Sequence, residues 1–295
     1  MDGMYKVSVI LPTYNRGNII DKSIKSVIAQ TYAEWELIIA DDCSSDNSPE
    51  VCSKLARKDG RIRYYRNQKN LGLPRNRNVA ISHATGDLIL FTEDDMVIGE
   101  KCIEILVETY KLLTKKGLKV GSICPALVNS YVDSSKKRNL LNYAKQDNEE
   151  ITSNSPCVID EKTGLIYRNF SPEFKKLLLV EDCHSCSIYP HSLFDEFKYE
   201  ENAYKGTYTG EESDLHFRIR KNGYKLYFQP EAVMYHNVEE QGGCRQPLYK
   251  WGYYFMRNHT VFLARNYGKK SIIMVPNYLF FLFRMMFNYY LRGRQ

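Results

Sequence analysis

The chain has 295 residues, of which 43% are hydrophobic and 26% are charged. This composition excludes an intrinsically disordered chain, and the length suits one large domain or a domain with an appended segment. The net charge of +6 is modest and is compatible with a nucleotide ligand or an anionic membrane face, and we expect no nucleic-acid partner.

Alternating strand and helix patterns occupy the first third of the chain. Short apolar or β-branched runs predict strands at residues 6–11, 36–40, 61–66 and 87–92. Apolar spacing on one face and a Ser-Pro start predict the intervening helices, at residues 19–30, 49–58 and 74–82. This order predicts an α/β fold with a Rossmann-like, mostly parallel sheet and helices on both of its faces.

Polar loops follow three of the predicted strands, at residues 13–16, 41–46 and 93–95. Ligands bind to sheets of this kind beyond the carboxyl ends of the strands, where the loops gather. We therefore expect the three loops to converge on one crevice.

The last of these loops consists of three adjacent carboxylates, Glu93, Asp94 and Asp95. Adjacent carboxylates repel each other, so several of them at a buried strand end are costly without a cation. Mg²⁺ and Mn²⁺ bind a few carboxylates together with substrate phosphates. The triplet therefore suggests a divalent metal site, and a solvated acidic turn is the alternative that the triplet alone leaves open.

The sequence changes character in its second half. Residues 130–178 are rich in Ser, Lys, Asn and Glu, and their weak periodicity predicts loops and irregular structure. Strand-like runs return at residues 181–193 and 224–236, and the segment GEESDLHFRIRKNG between them predicts a loop followed by a helix.

Four segments resemble, in order and spacing, the family 2 glycosyltransferases of the GT-A fold: VSVILPTYNR, ELIIADDCSSDNS, NLGLPRNRNVAISHATGDLILFTEDDM and GEESDLHFRIRKNGYKLYFQPEAVMYH. These motifs span residues 7–236. The resemblance implies an inverting, metal-dependent enzyme of hexosyltransferase type. It would move a sugar from a UDP- or GDP-sugar to the hydroxyl of a glycan or lipid-linked acceptor, in glycan, polysaccharide or glycolipid assembly.

The family's metal motif, Asp-any-Asp, falls on the acidic triplet. The resemblance implies that Glu93, Asp95 and His236 bind Mn²⁺ or Mg²⁺, which would bridge the two phosphates of the donor, and that Asp94 lies near the ribose. Glu93 stands where the family usually has Asp, so its carboxylate lies one methylene further out.

The family's nucleotide-binding positions fall on residues of three loops: Pro12, Thr13, Tyr14, Asp41, Asp42 and Arg77. The resemblance implies that the first three hold the base and ribose. One of the paired aspartates would accept a hydrogen bond from the ring N–H of uracil or guanine. Arg77 would face the base or the pyrophosphate, because its guanidinium can donate two parallel hydrogen bonds, and Arg75 is the nearby alternative.

The family's acid–base motif, GED followed by one residue and Asp-Leu, falls on residues 210–215. Glu212 takes the place of the catalytic base, which removes the acceptor hydroxyl's proton as its oxygen attacks the anomeric carbon from the face opposite the nucleotide. Glu211 and Asp214 are expected to support the base or to orient the acceptor. An acidic helix start stabilised by the helix dipole is the alternative reading of these residues.

The C-terminal residues 271–291 are strongly apolar and aromatic. Their uninterrupted apolar part is shorter than the roughly 20 residues of a spanning helix, and Pro276 and Arg284 also argue against a span. A helix lying in the membrane surface, and a helix packed on the catalytic domain or in a homodimer, both stay open. We predict a GT-A catalytic domain over residues 1–245 and an apolar C-terminal helical appendage over residues 246–295.

The amino terminus shows no apolar signal segment, and the eight cysteines show no repeated paired spacing. Both features favour a reducing cytosol. We expect a cytoplasmic protein, which would be peripheral on the inner face of the cell membrane if its C-terminal helix lies in the membrane surface.

Two other functions stay open from the sequence. Glu93 and Glu212 replace aspartates of the family, which would suit a catalytically inactive sugar-nucleotide-binding module. A nucleotidyltransferase could share the sheet, but it usually has a glycine-rich, basic phosphate loop near the first strand, and PTYNRGN is not such a loop. Turnover of the donor separates an enzyme from a binding module.

Overall fold

The computed structural model describes residues 4–129, 154–237 and 243–292. Its strands are β1 Val7–Thr13, β2 Trp35–Asp41, β3 Ile62–Arg66, β4 Leu88–Phe91, β5 Met96–Ile98, β6 Val120–Asn129, β7 Cys157–Ile159, β8 Ile166–Arg168, β9 Leu178–Val180, β10 Ile188–Pro190 and β11 Lys225–His236. Its α-helices are α1 Ile20–Ile28, α2 Ser48–Ala56, α3 Leu73–Ser82, α4 Cys102–Lys115, α5 Leu193–Glu196, α6 Glu211–Lys221, α7 Leu248–Tyr267 and α8 Ser271–Arg292.

Within the described ranges, nine strands form one sheet in the order β3-β2-β1-β4-β10-β6-β11-β5, with β9 paired to β11. The first four strands of this order run parallel, as predicted. Alternate residues of β1 enter two different cores: Val9 packs with α1 and α4, and Ile10 packs with α3 on the opposite face. Helices therefore cover both faces of the sheet, which confirms the predicted fold class.

The second half of the sheet mixes strand directions. Strand β10 inserts antiparallel between β4 and β6, whereas β11 runs parallel to β6 and antiparallel to β5. The run at residues 181–193 was expected to be strand-like, but only Ile188–Pro190 is a strand. Buried polar groups, among them Asp182 and His184, interrupt the run with side-chain hydrogen bonds.

The prediction of irregular structure at residues 130–178 can be compared with the structure only from residue 154 onward, because residues 130–153 lie outside the described ranges. Its remainder is more regular than expected, since β7 and β8 pair as an antiparallel two-stranded sheet. A loop-rich composition does not exclude so short a pairing.

The C-terminal segment is helical, as predicted. Phe262 and Leu263 of α7 pack against Met274 and Tyr278 of α8, and Phe217 of α6 joins the same core. None of the helices in the described ranges is both long and apolar enough to cross a membrane. The predicted division at residue 245 stays a prediction, although α7 packs closely on α6.

Candidate active site

One cleft of about 850 Å³ opens at the carboxyl ends of β1, β2 and β4. Parallel pairing puts Thr13 at the end of β1 beside Asp41 at the end of β2. The acidic triplet enters the cleft directly after β4, and its opposite wall includes residues 206–209 and 243–246. The three polar loops therefore converge as expected from a sheet of this kind.

The three carboxylates of the triplet are turned toward different partners. Asp94 Oδ2 accepts a hydrogen bond of 2.8 Å from Thr13 Oγ1. Asp95 Oδ1 lies 3.6 Å from Nε2 of His236. Glu93 Oε1 accepts a hydrogen bond of 2.7 Å from Ser185 Oγ. Each carboxylate therefore has its own neighbour, which lowers the cost of placing three side by side.

The two aspartates of the triplet differ in their preference for a proton. Burial raises the pKa of Asp94 to about 7, although the Arg16 guanidinium acts in the opposite direction. Burial would also raise the pKa of Asp95, but the hydrogen bond with His236 and the charge of that ring lower it below its usual value. Asp95 therefore keeps its negative charge more readily than Asp94, as a metal ligand requires.

The predicted metal ligands are only partly brought together. Asp95 and His236 face each other, but Glu93 is turned toward Ser185 and Arg77, whose Nη2 lies 3.3 Å from Glu93 Oε1. Among the residues that the structure describes, no group of three or more His, Cys, Asp or Glu side chains is placed to hold a metal ion. Glu93 is held by Ser185 and Arg77 and does not complete the expected set here.

Arg16 is a cleft residue that the sequence analysis did not single out. Its side chain is buried, with Nε 3.5 Å from Asp94 Oδ1 and Nη2 3.8 Å from Asp95 Oδ2. Its Nη1 is buried without a hydrogen-bond partner in the described part of the chain. Gly243 packs directly on it, since a Cβ at that glycine would lie 2.9 Å from Arg16 Nη2. Its place in PTYNR, at the end of a polar loop, was the available signal.

The paired aspartates after β2 have different surroundings. Asp42 lines the cleft, and its carboxylate accepts hydrogen bonds of 2.8 Å from the backbone N–H groups of Leu71 and Gly72. Asp41 is fully buried and accepts from the backbone N–H of Ser44 and from the hydroxyl of Tyr64. Of the two, only Asp42 is placed to meet a ligand in the cleft, beside Pro12, Thr13 and Tyr14.

Arg77 lies elsewhere than the sequence predicts. Its side chain is 1% exposed, it pairs with Glu211 and Glu93, and it does not line the cleft. Two carboxylates hold the guanidinium beneath the cleft, where it is too deep to face a base or pyrophosphate in this conformation. The alternative, Arg75, pairs with Glu201 and does not line the cleft either.

The acidic motif forms the first turn of α6. Glu211 is buried against Arg77, whereas the neighbouring Glu212 is only partly buried. Burial alone would lower the pKa of the Arg168 guanidinium, but the charges of Asp182 and Glu212 raise it, so Glu212 lies within reach of that cation. The two glutamates therefore have distinct environments: Glu212 is the more accessible of the pair, and neither of them is among the residues that line the cleft.

Asp214 connects the start of α6 to neighbouring elements. Its fully buried carboxylate accepts hydrogen bonds from Tyr204, Arg218, Arg265 and Asn266. The last two side chains belong to α7, so this carboxylate ties α7 to the acidic start of α6. Because it faces these donors, it does not face the cleft.

A second buried network fixes α6 and was not foreseen from the sequence. Asp182 accepts hydrogen bonds from Arg168 and Ser213 and lies 2.7 Å from His216 Nδ1. His216 Nε2 in turn lies 2.7 Å from the hydroxyl of Tyr189 on β10. No spacing along the chain links these residues, because the network joins four separate segments.

Comparison with known proteins identifies the family. The family model described as "Glycosyl transferase family 2" matches residues 8–196, which is more than half of the chain. This chain belongs to glycosyl transferase family 2. The family shown by this match is the one that the motifs at residues 7–236 indicated.

The proteins similar to this family 2 chain include a glucosyltransferase of known donor and two solved structures. The UDP-Glc:alpha-D-GlcNAc-diphosphoundecaprenol beta-1,3-glucosyltransferase WfgD of Escherichia coli is 43% identical over 98 residues, which are 33% of this chain and 38% of WfgD. The matched segments cover between 14% and 38% of the length of the curated relatives that are similar to this chain.

The solved structures match nearly the whole chain in fold. S. aureus TarS 1-349 in complex with UDP-GlcNAc has a TM-score of 0.57 at 18% identity, over 93% of this chain and 71% of TarS. The mannosyltransferase PcManGT from Pyrobaculum calidifontis, in complex with GDP-Man and Mn2+, has a TM-score of 0.59 at 16% identity, over 93% of this chain and 68% of that protein. At these identities the likeness supports the shared fold.

Proposed function

We propose that this chain is an inverting glycosyltransferase that moves a sugar from a nucleotide-diphosphate donor to an acceptor hydroxyl. One observation carries the proposal: a single cleft is lined by the end of β1, by Asp42, by the acidic triplet and by the loop that leads into α6. That arrangement offers a nucleotide, a diphosphate and an attacking hydroxyl separate places in one site.

The donor's nucleotide would bind along the ends of β1 and β2. Pro12, Thr13 and Tyr14 line the cleft beside Asp42, which would accept a hydrogen bond from a ring N–H of uracil or guanine. The complexes of similar fold contain UDP-GlcNAc and GDP-Man, which supports a UDP- or GDP-sugar donor here.

Asp95 and His236 are the residues that would hold Mn²⁺ or Mg²⁺. They are 3.6 Å apart, they line the cleft, and the pKa of Asp95 is lowered, which suits a ligand that must stay ionised. When bound, the ion would supply positive charge to the departing diphosphate. Arg16 and Arg245, whose Nη2 atoms lie 3.8 and 3.7 Å from Asp95 Oδ2, would contribute fixed positive charge at the same place.

Glu212 would act as the base that accepts the proton of the acceptor hydroxyl. Glu211 and Asp214 are both buried and paired, so they fix the first turn of α6 and leave Glu212 as the accessible carboxylate. Both substitutions relative to the family, Glu93 and Glu212, retain a carboxylate. Nothing in the site therefore favours the inactive binding module over the enzyme.

The acceptor is proposed to be a glycan or a lipid-linked saccharide. This part of the proposal draws on the relatives, since the name of WfgD describes a glucosyltransferase for a diphosphoundecaprenol-linked sugar. The proposed catalytic unit comprises residues 1–245, and α7, which packs on α6, belongs to the proposed C-terminal extension.

Calorimetry and turnover together test the function. We expect UDP- or GDP-sugar to bind well with Mn²⁺ or Mg²⁺ and poorly with a chelator, because Asp95 and the diphosphate would otherwise repel. A panel of nucleotide sugars should contain one that is turned over when the metal is present. Equal donor affinity with and without chelator would remove the metal assignment, and tight binding without turnover of any donor would indicate a binding module.

A further inference from the structure

Helix α8 presents a row of large apolar side chains to solvent. Met274 and Tyr278 are buried against α7, but Ile272, Ile273 and Phe280 are 74%, 69% and 68% exposed. Ile273, Pro276 and Phe280 are spaced by three and four residues, so they share the face opposite the buried one. In a helix on the surface of a soluble domain that face is normally polar, so its composition here needs a partner.

The C-terminal segment that contains this face carries charges of one sign. Residues 241–295 contain nine Lys and Arg residues and no Asp or Glu, whereas the whole chain has 41 basic and 35 acidic residues, so residues 1–240 carry a net charge of −3. Lys269 and Lys270 are exposed immediately before α8, and Arg284 is exposed near the row. An apolar face on a segment whose charged side chains are all cationic matches an anionic lipid surface and would not attract a cationic copy of itself.

The apolar face continues onto α7 and reaches the cleft. Tyr249 and Tyr253 of α7 are 74% and 57% exposed, while Trp251 of the same turn lines the cleft. The same helix therefore connects the outer apolar surface to the wall of the candidate active site. Tyr and Trp side chains favour the level of lipid headgroups, where an apolar ring and a polar tip are both accommodated.

We propose that α8 and the first turns of α7 lie on an anionic lipid bilayer, with Ile272, Ile273 and Phe280 inserted and Lys269 and Lys270 at the phosphates. Docked in this way, the cleft would open next to the membrane surface. The docking depends only on this surface. Its use for presenting a lipid-linked acceptor rests on the proposed function.

Vesicle flotation of the full chain without substrates tests the docking separately from transfer. The wild-type protein should float with vesicles of phosphatidylcholine mixed with phosphatidylglycerol, and less with phosphatidylcholine alone. The double variant Ile273→Ser with Phe280→Ser should lower the bound fraction by about tenfold or more, because two inserted side chains are lost. Leu112→Ser with Leu179→Ser is the matched control, since both leucines are exposed on other elements, α4 and β9, and it should float like the wild type.

The role of the two lysines that precede α8 can be tested against a second pair of exposed lysines. Lys269→Glu with Lys270→Glu should reduce binding to the anionic vesicles by about tenfold and weaken its salt dependence. Lys115→Glu with Lys116→Glu makes the same change of charge at the exposed end of α4 and should have little effect. Equal loss from both lysine pairs, or no flotation of the wild type, overturns the proposal. A dimer in sizing chromatography that Phe280→Ser dissociates, without flotation, assigns the face to a second copy instead.

Discussion

The two sides of the cleft are held in place in different ways. The ends of β1 and β2, where we propose that the nucleotide binds, form the nucleotide side. There the carboxylate of Asp42 accepts hydrogen bonds from the backbone N–H groups of Leu71 and Gly72, and that of Asp41 accepts one from the backbone N–H of Ser44. The first turn of α6, with the proposed base Glu212, forms the acid side. It is fixed through Asp214, which accepts hydrogen bonds from Arg265 and Asn266 of α7, 51 and 52 residues further along the chain. The nucleotide side is therefore held by contacts between loops within residues 8–196, and the acid side is held by a helix that lies beyond them.

The family match ends between these two sides of the cleft. The match ends at residue 196, before α6 begins at Glu211, so the match to the family covers the nucleotide side and not the acid side. Substitutions on the two sides should consequently separate donor binding from transfer.

The largest separation is expected for Glu212→Gln. Transfer should fall by about 10²–10⁴, the usual contribution of a positioned base, while donor affinity and thermal stability stay close to wild type. Glu212→Asp should keep more activity than Glu212→Gln, because a carboxylate remains. Single-turnover transfer rates at saturating donor measure the chemical step alone.

Glu211→Gln serves as the contrasting variant next to Glu212. Glu211 is buried and pairs with Arg77, so its substitution should lower the unfolding temperature, which Glu212→Gln should not. Loss of transfer in a stable Glu211→Gln protein, together with a mild Glu212→Gln variant, would move the base to Glu211.

The next largest effect tests the attachment of the acid side to α7. Asp214→Asn should reduce the free energy of unfolding by about 2–4 kcal/mol, because a buried carboxylate loses its charge among four donors. Asp59→Asn removes an exposed pair with Arg61 and should cost less than about 1 kcal/mol. Denaturant midpoints of the two variants provide the comparison, and equal values would mean that the link between α6 and α7 contributes little.

A smaller effect separates the two aspartates of the nucleotide side. Asp42→Ala should weaken donor binding by about 1–3 kcal/mol, because it removes an acceptor from the cleft. Asp41→Ala should leave the affinity of the folded protein nearly unchanged, since Asp41 is bonded to Ser44 and Tyr64 and does not line the cleft. Calorimetry with UDP and GDP measures both, and an Asp41 variant with the weaker binding would reverse the assignment.

The sequence predicted the parallel half of the sheet because apolar runs and turn residues are local signals. The positions of β1, β2, β3 and β4 agree with the predicted runs to within two residues. The convergence of the three loops followed from strand direction alone. Asp42 could not be separated from Asp41 by sequence, because the difference arises from which loop amides each carboxylate meets.

The differences between the expected and observed positions come from contacts between distant segments. Arg77 was expected in the cleft, but it is buried below the cleft, where it pairs with Glu211, 134 residues later in the chain. Glu93 was expected beside Asp95, but Ser185 and Arg77 turn its carboxylate away. The insertion of β10 against β4 also depends on a pairing that its short apolar run does not specify. Each outcome depends on a contact between distant segments, which motifs read one at a time do not specify.

The smallest expected effect is a pH dependence on the α7 side. His259 of α7 is bonded to the carbonyl of Thr163, and burial lowers its pKa from 6.5 to about 4. Burial also lowers the pKa of His184 to about 4, despite its bond to the carbonyl of Pro125. Because the unfolded histidines take up protons first, stability should be lost as the pH falls from 6.5 toward 4.

Replacing one of the two histidines should remove only its own share of this dependence. His259→Gln keeps a donor for the carbonyl of Thr163 but cannot titrate, so the variant should lose less stability than the wild type across that pH interval, while the contributions of His184 and Asp94 stay the same in both proteins. Unfolding midpoints at a series of pH values, measured for both proteins, give the two slopes. If the unfolding midpoints of the two proteins changed with pH at the same rate, His259 would be solvated in the folded protein. In that case α7 would hold the acid side less tightly than its contacts indicate.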